Sequence, residues 1–467
     1  MIQIKALISR CQSLVDVTGV VPSELMGFCN DTRSYVHPSF FVAYNGAKYN
    51  PLEHVAGIIE KGCALIVYEM STANDAIVNN YKSKYPHVCF VKVNDAITFT
   101  QEISTGHVSD WQKTGGYLFA ISGSNGKTTH KEMLSFILNA SFPGLVESTQ
   151  KNNNNHLGVP FTLLQIKPQT KVCVLELGSN HPGEIKVLCD ISNPRGGLVT
   201  NIGATHLEFF DTLENVFKEE AYLYTHLAQK KPQGLIFFQN LDDTYLKQLS
   251  PLAGMKTFST SNKSADYYFE IAAPEVLIHS QGDKIKISND HIAGTHNFSN
   301  LATALIIAIN LFPQKKNELI AACANFKPTF NRSQWQKILD KETFLDAYNA
   351  NPSSMQIALN GFFDELRRRS VDESRAVLFL GDMNELGDNS DQFHQELGDF
   401  LKKWPRAKVV FVGRFASHYL RGRGDGLTFS NVKEINGEKW REITRNATHV
   451  FIKGSRSLQL ESLLAIT

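Results

Sequence analysis

The chain has little of what marks an exported or membrane-bound protein. Its seven cysteines (Cys11, Cys29, Cys63, Cys89, Cys173, Cys189, Cys323) are odd in number and never stand as a C-x-x-C pair. That argues against a disulfide framework or a thiolate zinc site and suits a reducing compartment. No apolar run approaches the ~18 residues of a membrane span, and the opening MIQIKALISRCQ is broken by Lys5 and Arg10 before a signal-peptide core could form. An excess of charge of either sign is missing too: 47 Lys and Arg face 46 Asp and Glu. General affinity for nucleic acid or anionic membrane is therefore not expected, and an anionic ligand must be held locally. Internal repeats, low-complexity tracts and coiled-coil heptads are absent. The expectation is a soluble, cytoplasmic monomer that binds neither nucleic acid nor membrane.

What is present is the pattern of a multidomain α/β protein. At 467 residues the chain exceeds the roughly 250–300 residues at which single cores stop growing. Residues 1–113 read as a small α/β unit, with strands at Ser39–Tyr44 and Ala64–Tyr68 around a helical pattern from His54 to Lys61. Thr114-Gly115-Gly116 reads as a linker. In residues 114–327 the apolar runs Tyr117–Ile121, Val172–Leu175, Leu198–Val199 and Leu235–Phe238 have the composition of fully buried parallel strands. Residues 328–467 repeat the pattern at Phe344–Leu345, Val377–Leu380, Val409–Val412 and Val450–Ile452. Helices over Lys131–Leu138 and Asn300–Leu311 would cover the sheets. Each run ends in a polar residue or glycine, and in open α/β sheets ligands sit beyond the carboxyl ends of the strands.

The sharpest local signal is Ala120-Ile121-Ser122-Gly123-Ser124-Asn125-Gly126-Lys127-Thr128-Thr129: an apolar strand, a glycine turn, then Lys-Thr opening a helix. Gly123 and Gly126 let backbone N–H groups approach phosphate oxygens. The helix N-terminus adds partial positive charge, Lys127 neutralises the β- and γ-phosphates, and the Thr128 hydroxyl can bind Mg²⁺. The strict G-x-x-x-x-G-K-[ST] pattern is not met, since Ile121 occupies the first glycine position. Glu176 ends the run Val172–Leu175, and His206 follows the next strand. Each alone is more often a hydrogen-bonded structural group. Together with a phosphate loop in one sheet they suit a Mg²⁺ site for phosphoryl transfer, with Thr128, Glu176 and His206 as the metal's surroundings.

The motifs GSNGKTT, NNNNHLGVPFTLL, ELGSNHPGEI, TNIGATHLE, GTHNFSN, NRSQ, DAYNANPSSM, LGDMNELG and KGSRS occur in this order, and over residues 25–460 the chain resembles the Mur ligases. DAYNANPSSM and LGDMNELG are most like the branch that adds D-alanyl-D-alanine. The resemblance implies three domains: an N-terminal UDP-sugar domain, a central ATPase domain and a C-terminal Rossmann-like domain. It implies ATP and Mg²⁺ as cofactors, with a UDP-muramoyl-tripeptide and D-alanyl-D-alanine as substrates. Lys127, Glu176, His206 and Glu220 would be catalytic. Gly123, Ser124, Asn125, Gly126, Lys127, Thr128 and Thr129, with Asn297, Arg332, Asp346 and Asn349, would hold the nucleotide. Asp31, Thr32, Arg33 and Gly46 resemble a uridine-nucleotide site; Asn152, Asn154, Asn155, Lys453 and Arg456 would approach the peptide. From the residues alone, Asp31-Thr32-Arg33 could equally cap a turn, and the asparagines could supply turn hydrogen bonds.

The resemblance also marks a departure. Many Mur ligases carry, fourteen residues after the His of T-N-I-G-x-x-H-L-E, a lysine that becomes a carbamate and helps hold Mg²⁺. Here that position is Glu220. Lys218 lies two residues earlier, turned roughly 200° away on a helix. The expectation is that the Glu220 carboxylate stands in for the carbamate. Two other functions compete: a different amide ligase of the same superfamily, such as a folate polyglutamylating enzyme, and a nucleotide-binding regulatory homologue that has lost catalysis. YNANP and LGDMNELG argue against the first, and retention of Lys127, Thr128, Glu176 and His206 against the second.

Overall fold

The computed structural model describes residues 2–465 apart from positions 24, 26, 47–48 and 329–331. Asn331, which opens the NRSQ motif, lies outside the described residues. Among the described residues the strands form three sheets of five, nine and six strands. The architecture is α/β, as the sequence implies.

In the first sheet Cys89–Val93, Leu65–Glu69, Ser39–Ala43 and Gly27–Cys29 run parallel, and Leu14–Thr18 closes one edge antiparallel. The helical pattern after His54 is realised only as a 3₁₀ turn, Pro51–His54, and one α turn, Ala56–Ile59. Leu52, Ile58 and Ile59 are its buried face. The helix Ala96–Lys113 joins this sheet to the next. Its first half buries Phe99 and Ile103 in the first core, and its second half buries Val108 and Trp111 in the core of the central sheet.

The central sheet runs in the order Asp283–Ser288, Glu275–Ser280, Tyr267–Ala272, Met255–Ser259, Ile236–Asn240, Gly196–Val199, Tyr117–Ser122, Val172–Glu176, Val146–Ser148. Four of the parallel strands match the apolar runs, whereas Val146–Ser148 and Met255–Ser259, also parallel, were not anticipated. The antiparallel meander at one edge was not anticipated: Val276, Ile278, Ile285 and Ile287 face the core while Lys284 and Lys286 face water, an alternation too short and too charged to stand out. Helices Lys127–Ser141 and Thr295–Leu311 pack on this sheet through Met133, Leu134, Ile137 and Leu138 against Leu301, Ala304, Leu305 and Ala308. The second helix is apolar nearly all round because it is buried between layers.

The third sheet is parallel from Lys341–Asp346 through His449–Lys453, Ala376–Gly381 and Lys408–Val412 to Leu427–Phe429, with Gln334–Ile338 antiparallel at the other edge. Apolar cores cover both its faces. None of the described helices is long and apolar enough to cross a membrane, and the seven cysteines are free.

Candidate active site

Three central strands end in register: Ile121 pairs with Glu176, and Ser122 with Val199. Their following loops therefore meet at one edge. The loop Gly123–Gly126 is clamped onto the segment after Val199. Ser124 N–H donates to Asn201 O (2.9 Å), Thr200 Oγ1 and Asn201 Nδ2 donate to Asn125 O (2.7 and 2.9 Å), and Gly203 N–H donates to Ser124 Oγ (2.9 Å). Gly123, at φ +118°, lies where a Cβ would stand 2.2 Å from Thr200 Oγ1, so only glycine fits. Gly126, in the left-handed region, hands the chain to the helix that Lys127 opens.

Glu176 is buried at its strand end. Its Oε1 accepts from Thr128 Oγ1 (3.0 Å) and Asn154 Nδ2 (2.9 Å), while its Oε2 is buried without a partner. His206, in a left-handed backbone conformation, lines the same cavity, and its Nδ1 lies against the carboxylate of Glu385 in the LGDMNELG segment. That pairing holds the Glu385 carboxyl below its ordinary range.

These loops open on a cavity of about 570 Å³ whose other wall comes from the third sheet and from the start of the helix Thr295–Leu311. It is lined by Ser124, Asn125, Gly126, Lys127, Thr128, Thr129, Asn152, Asn154, Asn155, Glu176, His206, Asn297, Arg332, Asp346, Asn349 and Lys453, sixteen of the residues singled out from sequence. Arg332 lies over the Tyr348 ring, 4.0 Å from its centroid. The two walls also touch: Asn125 Nδ2 donates to Ser353 Oγ (2.8 Å), and Asn351 Nδ2 donates to Asn125 Oδ1 (2.7 Å). Asn351 caps the helix Pro352–Arg368 at the same time.

Residues 121–308 match the Mur ligase middle domain. The UDP-N-acetylmuramoyl-tripeptide–D-alanyl-D-alanine ligase of Buchnera aphidicola subsp. Acyrthosiphon pisum is 30% identical over 450 residues, 93% of this chain and 91% of the relative. The chain belongs to the Mur ligase family. Among solved structures, MurF from Acinetobacter baumannii superposes with a TM-score of 0.78 at 24% identity, over 96% of this chain and 94% of that one. MurF ligase from Thermotoga maritima, solved in complex with ADP, superposes at 0.76 and 20% identity, over 94% and 96%. A folylpolyglutamate synthase/dihydrofolate synthase shares the fold at a TM-score of 0.58 and 16% identity over 78% of this chain.

Against that family background several residues stand elsewhere than expected. Glu220 does not reach the cavity. It is buried behind the phosphate loop, where Oε2 accepts the Gly123 N–H (2.7 Å) and Oε1 lies 3.7 Å from Lys127 Nζ. It therefore does not replace a carbamate at the cavity's metal position, because the short side chain is used up by the loop's root. Lys218 is exposed, on a regular helix Leu213–Glu220. His206 turns its Nδ1 toward the Glu385 carboxylate, and the described residues contain no group of three or more His, Cys, Asp or Glu placed to hold a metal. Thr128, Glu176 and His206 all line the same cavity, with Thr128 Oγ1 donating to Glu176 Oε1. Lys453 and Arg456 do not act as a free basic pair. Lys453 is buried and its Nζ donates to Asp346 Oδ2 (2.5 Å) and Asn349 O (3.0 Å), while Arg456 pairs with Glu461 (2.5 Å) outside the cavity.

Asp31, Thr32, Arg33 and Gly46 lie by the first sheet and do not line this cavity. Asp31 caps the turn Thr32–Ser34 by accepting Arg33 N–H (2.9 Å), and hydrogen bonds from Arg33 bring its carboxyl down to about 2. Gly46 N–H donates to Tyr49 O (2.9 Å). Asn155 Oδ1 accepts from Gly158 N–H (2.9 Å), a turn role, whereas Asn154 reaches Glu176. Sequence reasoning missed Asn351, Ser353 and Glu385. They sat inside motifs already recognised, but nothing in a linear pattern says which asparagine of Asn349-Ala350-Asn351 faces the other domain.

Proposed function

We propose that this chain is the ATP-dependent, ADP-forming ligase that joins D-alanyl-D-alanine to a UDP-N-acetylmuramoyl-tripeptide in the cytoplasm, acting as a monomer. The observation that carries the reading is the single cavity that gathers the phosphate loop, the strand-end Glu176 and the third-sheet residues Arg332, Asp346 and Asn349. Each sheet falls within one of the segments 1–113, 114–327 and 328–467, which we take as the three domains.

The donor set fits a hard cation such as Mg²⁺. Glu176 Oε2 is a buried carboxylate oxygen without a partner, beside the Thr128 hydroxyl and the phosphate loop. A Mg²⁺ ion takes one or two carboxylates and completes its shell with phosphate and water. Once bound, it would offset charge on the phosphate oxygens. The residues of the chain do the rest. Lys127 and the loop N–H groups bind and orient the triphosphate. A peptide carboxylate oxygen attacks the γ-phosphorus and ADP leaves, giving an acyl phosphate. The dipeptide amine then attacks the acyl carbon, the amine proton is lost and inorganic phosphate departs. A carboxylate is a poor electrophile at neutral pH, so the phosphoryl group supplies the leaving group. Closure of Asn351 and Ser353 onto Asn125 would keep water from the acyl phosphate.

The test is an ATPase assay over a panel of UDP-muramoyl peptides with D-alanyl-D-alanine, the ligated product being identified by mass. ADP, phosphate and a UDP-muramoyl-pentapeptide are expected with a tripeptide acceptor. AMP and pyrophosphate as stoichiometric products, or turnover with folate and glutamate instead, would overturn the reading.

A further inference from the structure

Two consecutive glutamates, Glu219 and Glu220, end the helix Leu213–Glu220, and both are buried. Adjacent positions on a helix point about 100° apart, so they serve different loops. Glu219 accepts from Ser179 Oγ (2.9 Å), Gly183 N–H (2.7 Å) and Ile185 N–H (2.7 Å), which fastens the loop 179–185. Glu220 is fastened to the root of the phosphate loop twice. Its carboxylate takes the Gly123 N–H, and its backbone carbonyl accepts from Ser122 Oγ (2.8 Å).

Lys127 is the loop's cation, and it is folded back toward that root. Its Nζ donates to Gly123 O, is 3.5 Å from Ser124 O and lies 3.7 Å from Glu220 Oε1. The loop backbone cannot shift to meet a ligand, because Thr200, Asn201 and Gly203 clamp it and Gly123 has no room. What can move is the Lys127 side chain. A phosphate entering the loop must draw the ammonium away from a buried carboxylate that already attracts it.

We propose that Glu220 is a positioning residue for phosphoryl transfer, acting through Lys127: its carboxylate tethers the ammonium at the loop's root, so that the nucleotide's phosphates must compete for it. The inference rests on the reading that this loop binds ATP. Competition weakens binding of the resting nucleotide. It matters less once negative charge builds on the transferring group, so the tether favours the transition state over the ground state. Without the anion, Lys127 follows the ground-state phosphates and binding becomes more uniform.

The experiment compares the wild type with Glu220→Gln, Lys127→Ala and the double variant. ADP affinity is measured by calorimetry, melting temperature by circular dichroism, and kcat with the muramoyl tripeptide and dipeptide. Glutamine keeps an acceptor for the Gly123 N–H and removes only the charge. Glu220→Gln is expected to tighten ADP binding by roughly three- to tenfold and to lower kcat by about tenfold, within the range for directly coupled neighbours. In the Lys127→Ala background the same change should alter ADP affinity less than about twofold. A merely structural Glu220 would instead weaken binding, or leave it unchanged, and either result overturns the proposal; so does an equal effect without Lys127. If Glu220→Gln does not fold, the melting temperature of Lys127→Ala decides. Losing the counterion of a buried carboxylate should lower it by several degrees, and an unchanged value refutes the pairing. A wild type that binds no ADP would refute the ATP-site reading itself, a separate outcome.

Discussion

At Glu176 one carboxylate oxygen is held by Thr128 and Asn154 and the other is buried and bare. An orphaned buried oxygen is costly unless a partner arrives. The opposite holds at Lys453, whose charge is met in place by Asp346, the residue paired with it across the sheet. Two charged strand-end residues thus have different fates because one has its counterion built in. Lys127 differs from both, lying between its own loop carbonyl and Glu220. Replacing Lys127 by alanine is expected to lower kcat by about 10² or more, since a positioned charge on a transferring phosphoryl group is worth several kcal/mol. Steady-state turnover with saturating substrates checks this, and near-normal turnover would remove the phosphate loop from the mechanism.

Among elements, the helix Leu213–Glu220 is short but fastens two of the loops that form the site. Thr212 caps its start, accepting Asn215 N–H, and Glu219 acts as an external cap for the helix Glu184–Ser192 by taking the Gly183 and Ile185 N–H groups. Leaving the buried Ile185 N–H without an acceptor costs about 1–3 kcal/mol, whereas the exposed Gly183 can turn to water. Glu219→Ala is therefore expected to destabilise the protein by roughly 1–3 kcal/mol in urea unfolding, and a change under about 0.5 kcal/mol would show that water replaces the carboxylate. The helix Pro352–Arg368 has an analogous double duty. Asn351 caps it within a capping box while its amide holds Asn125 across the cavity, so a local folding signal and an interdomain contact share one residue.

In the whole molecule the cavity is lined from both the central and the third segment, and direct contacts join the two: Asn351 and Ser353 with Asn125, and Glu385 with His206. If these contacts belong to the closed form, small-angle scattering should show compaction when an ATP analogue and UDP-peptide are added together. Asn351→Ala should reduce that compaction and weaken ADP binding. No change in the radius of gyration of the wild type would contradict closure. Acid should act on the molecule as a whole. Burial pushes His130, His296 and His394 each from the ordinary 6.5 down to about 4. Between those values the unfolded chain takes up protons that the folded chain refuses. The stability these neutral histidines contribute is complete above about pH 6.5 and falls as pH drops toward 4. Melting temperatures from pH 8 to 4 are expected to be level at first and then decline, and a flat profile down to pH 4 would show that the rings take up protons in the folded protein as readily as in the unfolded chain.

By itself the sequence determined the α/β class, the parallel strands whose ends meet at the cavity, and the glycine turn that opens the helix at Lys127. All three depend on local pattern: apolar runs that only a doubly covered sheet can bury, and glycines followed by Lys-Thr. Strand ends were legible for the same reason, and Glu176 and Asp346 face the cavity because each closes such a run. Short amphipathic strands such as Asp283–Ser288 were not legible, since their alternation is lost among surface lysines. Tertiary structure alone decided which partner each polar residue keeps. Arg456 was drawn to Glu461, Lys453 to Asp346 and His206 to Glu385. Glu220, read from its position in a motif as a metal ligand, was turned to the back of the loop. Hydrogen bonds and ion pairs reach only a few ångströms, and which groups come that close is set by how the helices pack, information that no linear spacing carries.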